Sequence, residues 1–282
     1  MAKHLRKSAL PGFGLALGLT CAWLGLVAIV PLIALVARSA TLSGSEWLAI
    51  ATSPQVVAAL RLSFGASLLA AFINVFAGLL IAWVLTRYRF PGRTLADAVV
   101  DLPFALPTAV AGIALTAIYG PDGWFGSFLE GRLGWKIAFA QPGIVIALAF
   151  IGLPFVVRTV QPVLQALDPE VEEAAESLGA SRWQVFSRVL LPTVAPALLT
   201  GFTLAFARAV GEYGSVVFIS GNIPGQTAIA PLLIVSRLEE YDYAGATAIA
   251  TIMLGFSALL LLAIGGLQTW QIRRRTAAQK PT

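Results

Sequence analysis

A polar constellation late in an apolar stretch holds the residues best suited to chemistry: Arg208-Ala-Val-Gly211-Glu212-Tyr213-Gly214, then Ser220-Gly221-Asn222. A charge at membrane depth is costly unless paired, and such charges usually mark a pathway. Arg208 and Glu212 are four apart, so a helix puts them on one face where each neutralises the other. Two readings stand side by side. One is a gate or anion path drawing on Arg208, Glu212, Tyr213 and Asn222; the other is a self-compensated structural pair near a helix end. Asn74, a lone polar group in another apolar run, reads more readily as an interhelical hydrogen bond than as a substrate contact.

The usual material of catalysis is missing. The chain has one histidine, His4, in a basic tail, and one cysteine, Cys21, in the first apolar run. No nucleophile–histidine arrangement, disulfide framework or Cys/His metal site can be assembled from them. No Gly-Lys pair occurs, so there is no phosphate-binding loop. If ATP drives this protein, partner subunits bind the ATP and Mg, and the chain itself is expected to hold no cofactor and to be no enzyme.

The elements around these residues are those of a membrane. Hydrophobic residues make up 58% and charged residues 12%, about half the charge of a soluble domain. Six spans are expected, from about Phe13 to Ala37, Leu60 to Thr86, Ala98 to Tyr119, Gly143 to Leu164, Ala195 to Ile219 and Tyr243 to Trp270. The first is too long for a signal-peptide core and reads as retained. The net charge of +5 gathers at span ends: thirteen of nineteen Lys and Arg lie in the N-terminal tail (Lys3, Arg6, Lys7), in Arg87 to Arg93, at Arg158, Arg182 and Arg188, and in the C-terminal tail from Arg273. That asymmetry puts both termini in the cytoplasm and argues against nucleic acid as a partner. Prolines are expected to break spans: Pro103 and Pro107 open the third, and Pro154 interrupts the fourth. Broken backbone survives at that depth where it is buried in protein or lines a water-filled path, so Pro103 and Pro107 join the candidate path; plain helix packing is the alternative.

Between the fourth and fifth spans lies a polar island, Asp168 to Pro192, within a loop of about residues 165–192. Asp168 is a good N-cap, Pro169 fits the first helical position, and Glu170, Glu172 and Glu173 suit a helix N-terminus. Val171, Ala174, Ala175 and Leu178 form an apolar face, and Gly179 supplies a left-handed stop. Ser181 and Gln184 form a capping box for a second helix with Val185, Phe186, Val189 and Leu190 facing inward, closed by Pro192. Such an amphipathic unit can lie on a lipid surface. However, its acids precede its first arginine, Arg182, and an anionic leaflet would repel them where a basic protein socket would not.

Glu173-Ala174-Ala175, Gly179 and Val189-x-Leu191-Pro192 resemble the "EAA" loop of permease subunits of binding-protein-dependent ABC importers, with Val189 where isoleucine is usual. The resemblance implies that this loop docks into the ATP-hydrolysing subunit and transmits its closure. Ala207 to Gly214 with Ile219 to Asn222 is similar to the oxyanion branch of that family, which carries sulfate, thiosulfate and molybdate. Within it, Thr86 to Arg93, Asp101 to Gly112 and Val156 to Leu164 are similar to the T-type permeases of sulfate/thiosulfate importers.

The fold expected is all-α, one polytopic domain over residues 1–282 with a cytoplasmic helix–turn–helix. The function implied by the resemblance is import of sulfate, with thiosulfate, across the bacterial inner membrane. The implied partners are a second related permease, two ATP-binding subunits and a periplasmic sulfate/thiosulfate-binding protein. The rivals are a molybdate or tungstate permease working as a homodimer, an ion-coupled transporter using Glu212 as its relay, and a non-transporting scaffold.

Overall fold

The computed structural model describes residues 12–278, which are helices and their connections with no strand among them. Lys3, His4, Arg6, Lys7 and Lys280 lie outside the described residues. Thirteen helices follow in order. Those that carry the argument are α1 (Phe13–Ser39), α2 (Gly44–Thr52), α3 (Pro54–Arg87), α4 (Arg93–Val100), α5 (Leu102–Ala105), α6 (Thr108–Tyr119), α7 (Trp124–Leu133), α8 (Gln141–Ala166), α9 (Pro169–Ser177), α10 (Arg182–Val210), α11 (Val216–Ile219), α12 (Ala230–Glu239) and α13 (Tyr243–Ala278).

Among the described residues, five helices are long and apolar enough to cross a membrane: α1, α3, α8, α10 and α13, the last over Tyr243–Gly266. Their order of burial sets the architecture. The most apolar window of α8 is 56% buried against 0% for α1, so α8 is central and α1 is peripheral. α3 and α10 pack on α8 and on each other, while α13 takes α1 on its outer side. Small residues on α3 (Ala66, Ser67, Ala70, Ala71, Ala82) are buried against this trio, which lets the backbones approach.

The expected third span is not one helix. It is the three pieces α4, α5 and α6, and the longest has 12 residues, about 18 Å of the roughly 30 Å required. Pro107 has no N–H and pushes Leu106 into an extended conformation (φ −86°, ψ 135°); Asp101 ends α4 and Pro103 opens α5.

Three other expectations need correcting. Pro154 does not interrupt the fourth span: α8 runs unbroken through Pro154 and Pro162. Asn74 Nδ2 reaches across from α3 and donates to the Ala149 carbonyl at 3.0 Å, beside the turn where Pro154 withholds its donor. Pro192 does not close the second helix of the island, which continues into the fifth span as one 29-residue helix. A π-turn over Phe186–Leu190 precedes Pro192, with Leu191 N–H donating to the Phe186 carbonyl. The proline therefore enters where the register has already widened. The same device stands in α1, where Val30 N–H reaches the Gly25 carbonyl just before Pro31. Finally, the fifth span ends at Val210, and Val216–Ile219 is a separate turn of helix.

Candidate functional site

The island folds as its local signals dictate. Asp168 accepts from Glu170 N–H at 3.1 Å, and Ser181 and Gln184 close a reciprocal capping box. Between them Gly179 sits at φ +85°, where an L side chain is strained, and the Ala180 N–H returns to the Ala175 carbonyl at 3.1 Å. Val185 and Leu190 are buried and Phe186 and Val189 half-buried, so the second helix turns its apolar side inward as expected.

The first helix does the opposite. Leu178 is 89% exposed and Trp183 72%, and Val171, Glu173, Ala174, Gly179, Leu191 and Pro192 are exposed while Ala175 is half-buried. The loop thus offers an uncovered surface that is apolar in the middle and acidic at its edge. Glu172 differs from its neighbours. It turns back to pair with Arg87 at the end of α3, and Arg87 Nη2 also donates to the Leu167 carbonyl at 3.3 Å. Nothing in sequence spacing announces a contact between residues this far apart.

The second site is the end of α10. Arg208 Nη1 donates to Glu212 Oε2 at 2.5 Å, as the spacing of four predicts. The other carboxylate oxygen, Oε1, accepts from Ser215 N–H at 2.9 Å and from Ser215 Oγ at 3.0 Å. Glu212 is 3% exposed and lies in the core beside Ser63, Ser67 and Leu148. Arg208 is more than a third exposed in its side chain. One buried carboxylate therefore holds an accessible guanidinium and fastens the turn into α11.

The broken third span lies against this turn. A Cβ on Gly112 would stand 2.4 Å from the Ser215 carbonyl oxygen, and one on Gly214 would stand 2.2 Å from Thr108 Oγ1. The break at Pro107 starts α6 beside Gly214 and Ser215, in contact with the Arg208–Glu212 turn. Tyr213 in that turn is half-buried. Asn222 is not drawn into the pair. It adopts φ +56°, accepts from Ser220 Oγ at 2.6 Å and donates to the Val217 carbonyl at 2.8 Å, so its amide serves its own turn.

Sequence reasoning missed a third cluster. Arg158 on α8 makes a two-pronged contact with Asp101 (Nε to Oδ1 2.8 Å, Nη2 to Oδ2 2.5 Å) and reaches Asp97 Oδ1 at 2.7 Å, with Gln161 completing the set. This ties α4 and the start of α5 to α8 at the break. The Arg158 hydrogen bond, then that of Gln161, holds the Asp97 carboxyl below its ordinary range.

With this geometry in view, the comparisons with known proteins are informative. Residues 74–277 match the sequence profile of the family described as "Binding-protein-dependent transport system inner membrane component". The sulfate transport system permease protein CysT of Escherichia coli (strain K12) is 49% identical over 263 residues, 93% of this chain and 95% of that protein. The corresponding protein of Synechococcus elongatus is 52% identical over 254 residues, 90% of this chain and 91% of its own. A probable sulfate transport system permease protein of Nephroselmis olivacea is 53% identical over 253 residues, 90% and 89%. Among solved structures, a bacterial ABC transporter involved in the import of the acidic polysaccharide alginate superposes with a TM-score of 0.75 at 16% identity, covering 92% of this chain and 96% of its own. At that identity the likeness concerns the fold.

Proposed function

The chain belongs to the family of binding-protein-dependent transport system inner membrane components, and from that premise we propose that it is the pore-forming subunit of an ABC importer carrying sulfate, with thiosulfate as a second substrate, into the cytoplasm. The sulfate reading is supported by relatives near 50% identity over about nine-tenths of both chains. The assembly consists of this chain, a second related permease, two ATP-binding subunits that hold ATP and Mg, and a periplasmic binding protein that delivers the anion. Both termini and the loop 165–192 face the cytoplasm.

The observation that carries the assembly is the uncovered loop hinged at Gly179. Leu178 and Trp183 stand almost bare beside Glu173 and Glu176, a surface that suits a protein groove with an apolar floor and a basic rim. ATP-driven closure of that groove moves the loop, and α10 carries the movement without interruption from Arg182 to Val210. Sulfate is a divalent tetrahedral anion, and its passage needs donors that do not hold it tightly. Arg208, already neutralised by Glu212, supplies such a donor at the start of the turn that α6 abuts after the break, with Pro103 and Pro107 opening the backbone there. The acid–base relay of an ion-coupled transporter fits poorly, because both oxygens of Glu212 are engaged.

The test is uptake of radiolabelled sulfate in a sulfate-permease-deficient strain expressing this chain with its partner subunits. Uptake blocked by unlabelled thiosulfate and not by trace molybdate is the expected result. Absent uptake despite normal assembly refutes the sulfate reading and brings molybdate forward.

A further inference from the structure

The last two turns of α3 grip both arms of the loop. On the first arm, Arg87 Nη2 holds Glu172 and the Leu167 carbonyl, where α8 bends into α9. On the second arm, Trp83 meets Phe186 edge-on with ring centroids 6.2 Å apart. Trp83 and Arg87 are four apart and share one face of α3. The Arg87 and Glu172 side chains are only 18% and 22% exposed, while Glu170, Glu173 and Glu176 face outward. Glu172 is therefore withdrawn from the surface that a partner would meet. Arg87 Nε is buried without a hydrogen-bond partner, a cost accepted to hold Nη2 where it is.

We propose that Arg87 and Glu172 are positioning residues that fix the docking loop to α3, so that displacement of the loop moves α3 with the gate rather than pivoting freely at Gly179. This deepens the permease reading above and rests on it. The Gly179 turn and the α8–α9 elbow are the two points about which an untethered loop would swing. A loop free to swing would absorb a push from the ATPase; a charge-assisted, largely dry pair turns it into a lever. α3 is the right receiver because it packs along both α8 and α10 and carries Ser63 and Ser67 into the core beside Glu212.

The experiment uses the complete transporter in proteoliposomes, with ATP hydrolysis and radiolabelled sulfate uptake measured in the same samples for wild type, Arg87→Gln, Glu172→Gln and the exchanged pair Arg87→Glu with Glu172→Arg. The single variants are expected to keep ATP hydrolysis within about twofold and to lose roughly tenfold in sulfate moved per ATP, the scale of an ordinary coupling energy. The exchanged pair should recover a large part of that loss. Single variants that keep the wild-type ratio overturn the proposal, as do variants that lose hydrolysis and uptake in parallel without rescue by the exchange. A wild-type complex that moves no sulfate counts against the substrate reading instead. The same variants then report through stimulation of ATP hydrolysis by the binding protein: lost stimulation supports the tie, and unchanged stimulation overturns it.

Discussion

Glu212 shows how much one buried carboxylate can organise. Removing it leaves Arg208 without its partner and deprives the Ser215 N–H and hydroxyl of their acceptor at once. Glu212→Ala is expected to cost about 1–3 kcal/mol, the penalty for leaving the buried Ser215 donors without an acceptor, since the Arg208 side chain is itself more than a third exposed. Replacing both partners, as Arg208→Met with Glu212→Leu, removes the unpaired guanidinium but leaves the Ser215 donors unmet, so it should recover only part of that stability. Thermal unfolding in detergent measures the first effect, and sulfate uptake by the double variant separates the two roles. A stable double variant that still transports would make the pair purely structural; a stable one that does not would put Arg208 in the path. The Arg158 cluster carries a pH prediction. The folded carboxyl of Asp97 is held below its ordinary value of about 3.9, so its stabilising contribution is present above that value and is lost as pH falls through the folded value. Asp97 is two-fifths exposed in its side chain, so the effect is under about 1 kcal/mol. Asp97→Asn should flatten the decline of unfolding temperature below about pH 4.

At the scale of elements, two glycines test two different constraints. Gly179 has open space around it but φ +85°, so Gly179→Val strains only the backbone, by about 1–2 kcal/mol for a left-handed residue. That strain falls in the hinge, and sulfate uptake should drop while expression and membrane insertion stay normal. Gly112 has ordinary helical backbone but no room, since a Cβ would stand 2.4 Å from a backbone oxygen. Gly112→Ala should push α6 off the 211–216 turn and cost about 1–3 kcal/mol, read as a lower unfolding temperature together with reduced uptake. What could be read in advance at this scale was whatever is encoded within a turn or two: the Asp168 cap, the Ser181 capping box, the Gly179 stop and the Arg208–Glu212 spacing. Contacts such as Arg158 with Asp97, or Arg87 with Glu172, depend on helices brought together only in the folded chain, and no local period reports them. The π-turn before Pro192 escaped for a related reason. A proline within an apolar pattern signals a stop, and whether a wider turn accommodates it is decided by packing.

For the whole molecule, the distribution of apolar surface governs what must surround it. α1 has no buried residue in its most apolar window, and α3 exposes Leu68, Leu69, Phe72, Ile73, Phe76 and Leu80 along one side. The first is satisfied by lipid. The second is a continuous face on a helix that packs on the central α8, and in the proposed assembly a second permease chain covers part of it. A face of this kind is more apolar than transient interfaces tolerate and resembles an obligate contact. Native mass spectrometry of the detergent-extracted transporter, expressed with its partner genes, should then give one copy of this chain, one related permease and two ATP-binding subunits. Introducing charge at the centre of the face, as Phe72→Glu with Phe76→Lys, should lower the yield of that assembly. These charges lie four apart in the favourable order and neutralise each other on the helix, which limits the penalty of exposing them to lipid. An assembly containing two copies of this chain and no second permease would instead make the pore a homodimer. It would also reverse the prediction for partner dependence, since this chain would then transport with the ATP-binding subunits and binding protein alone.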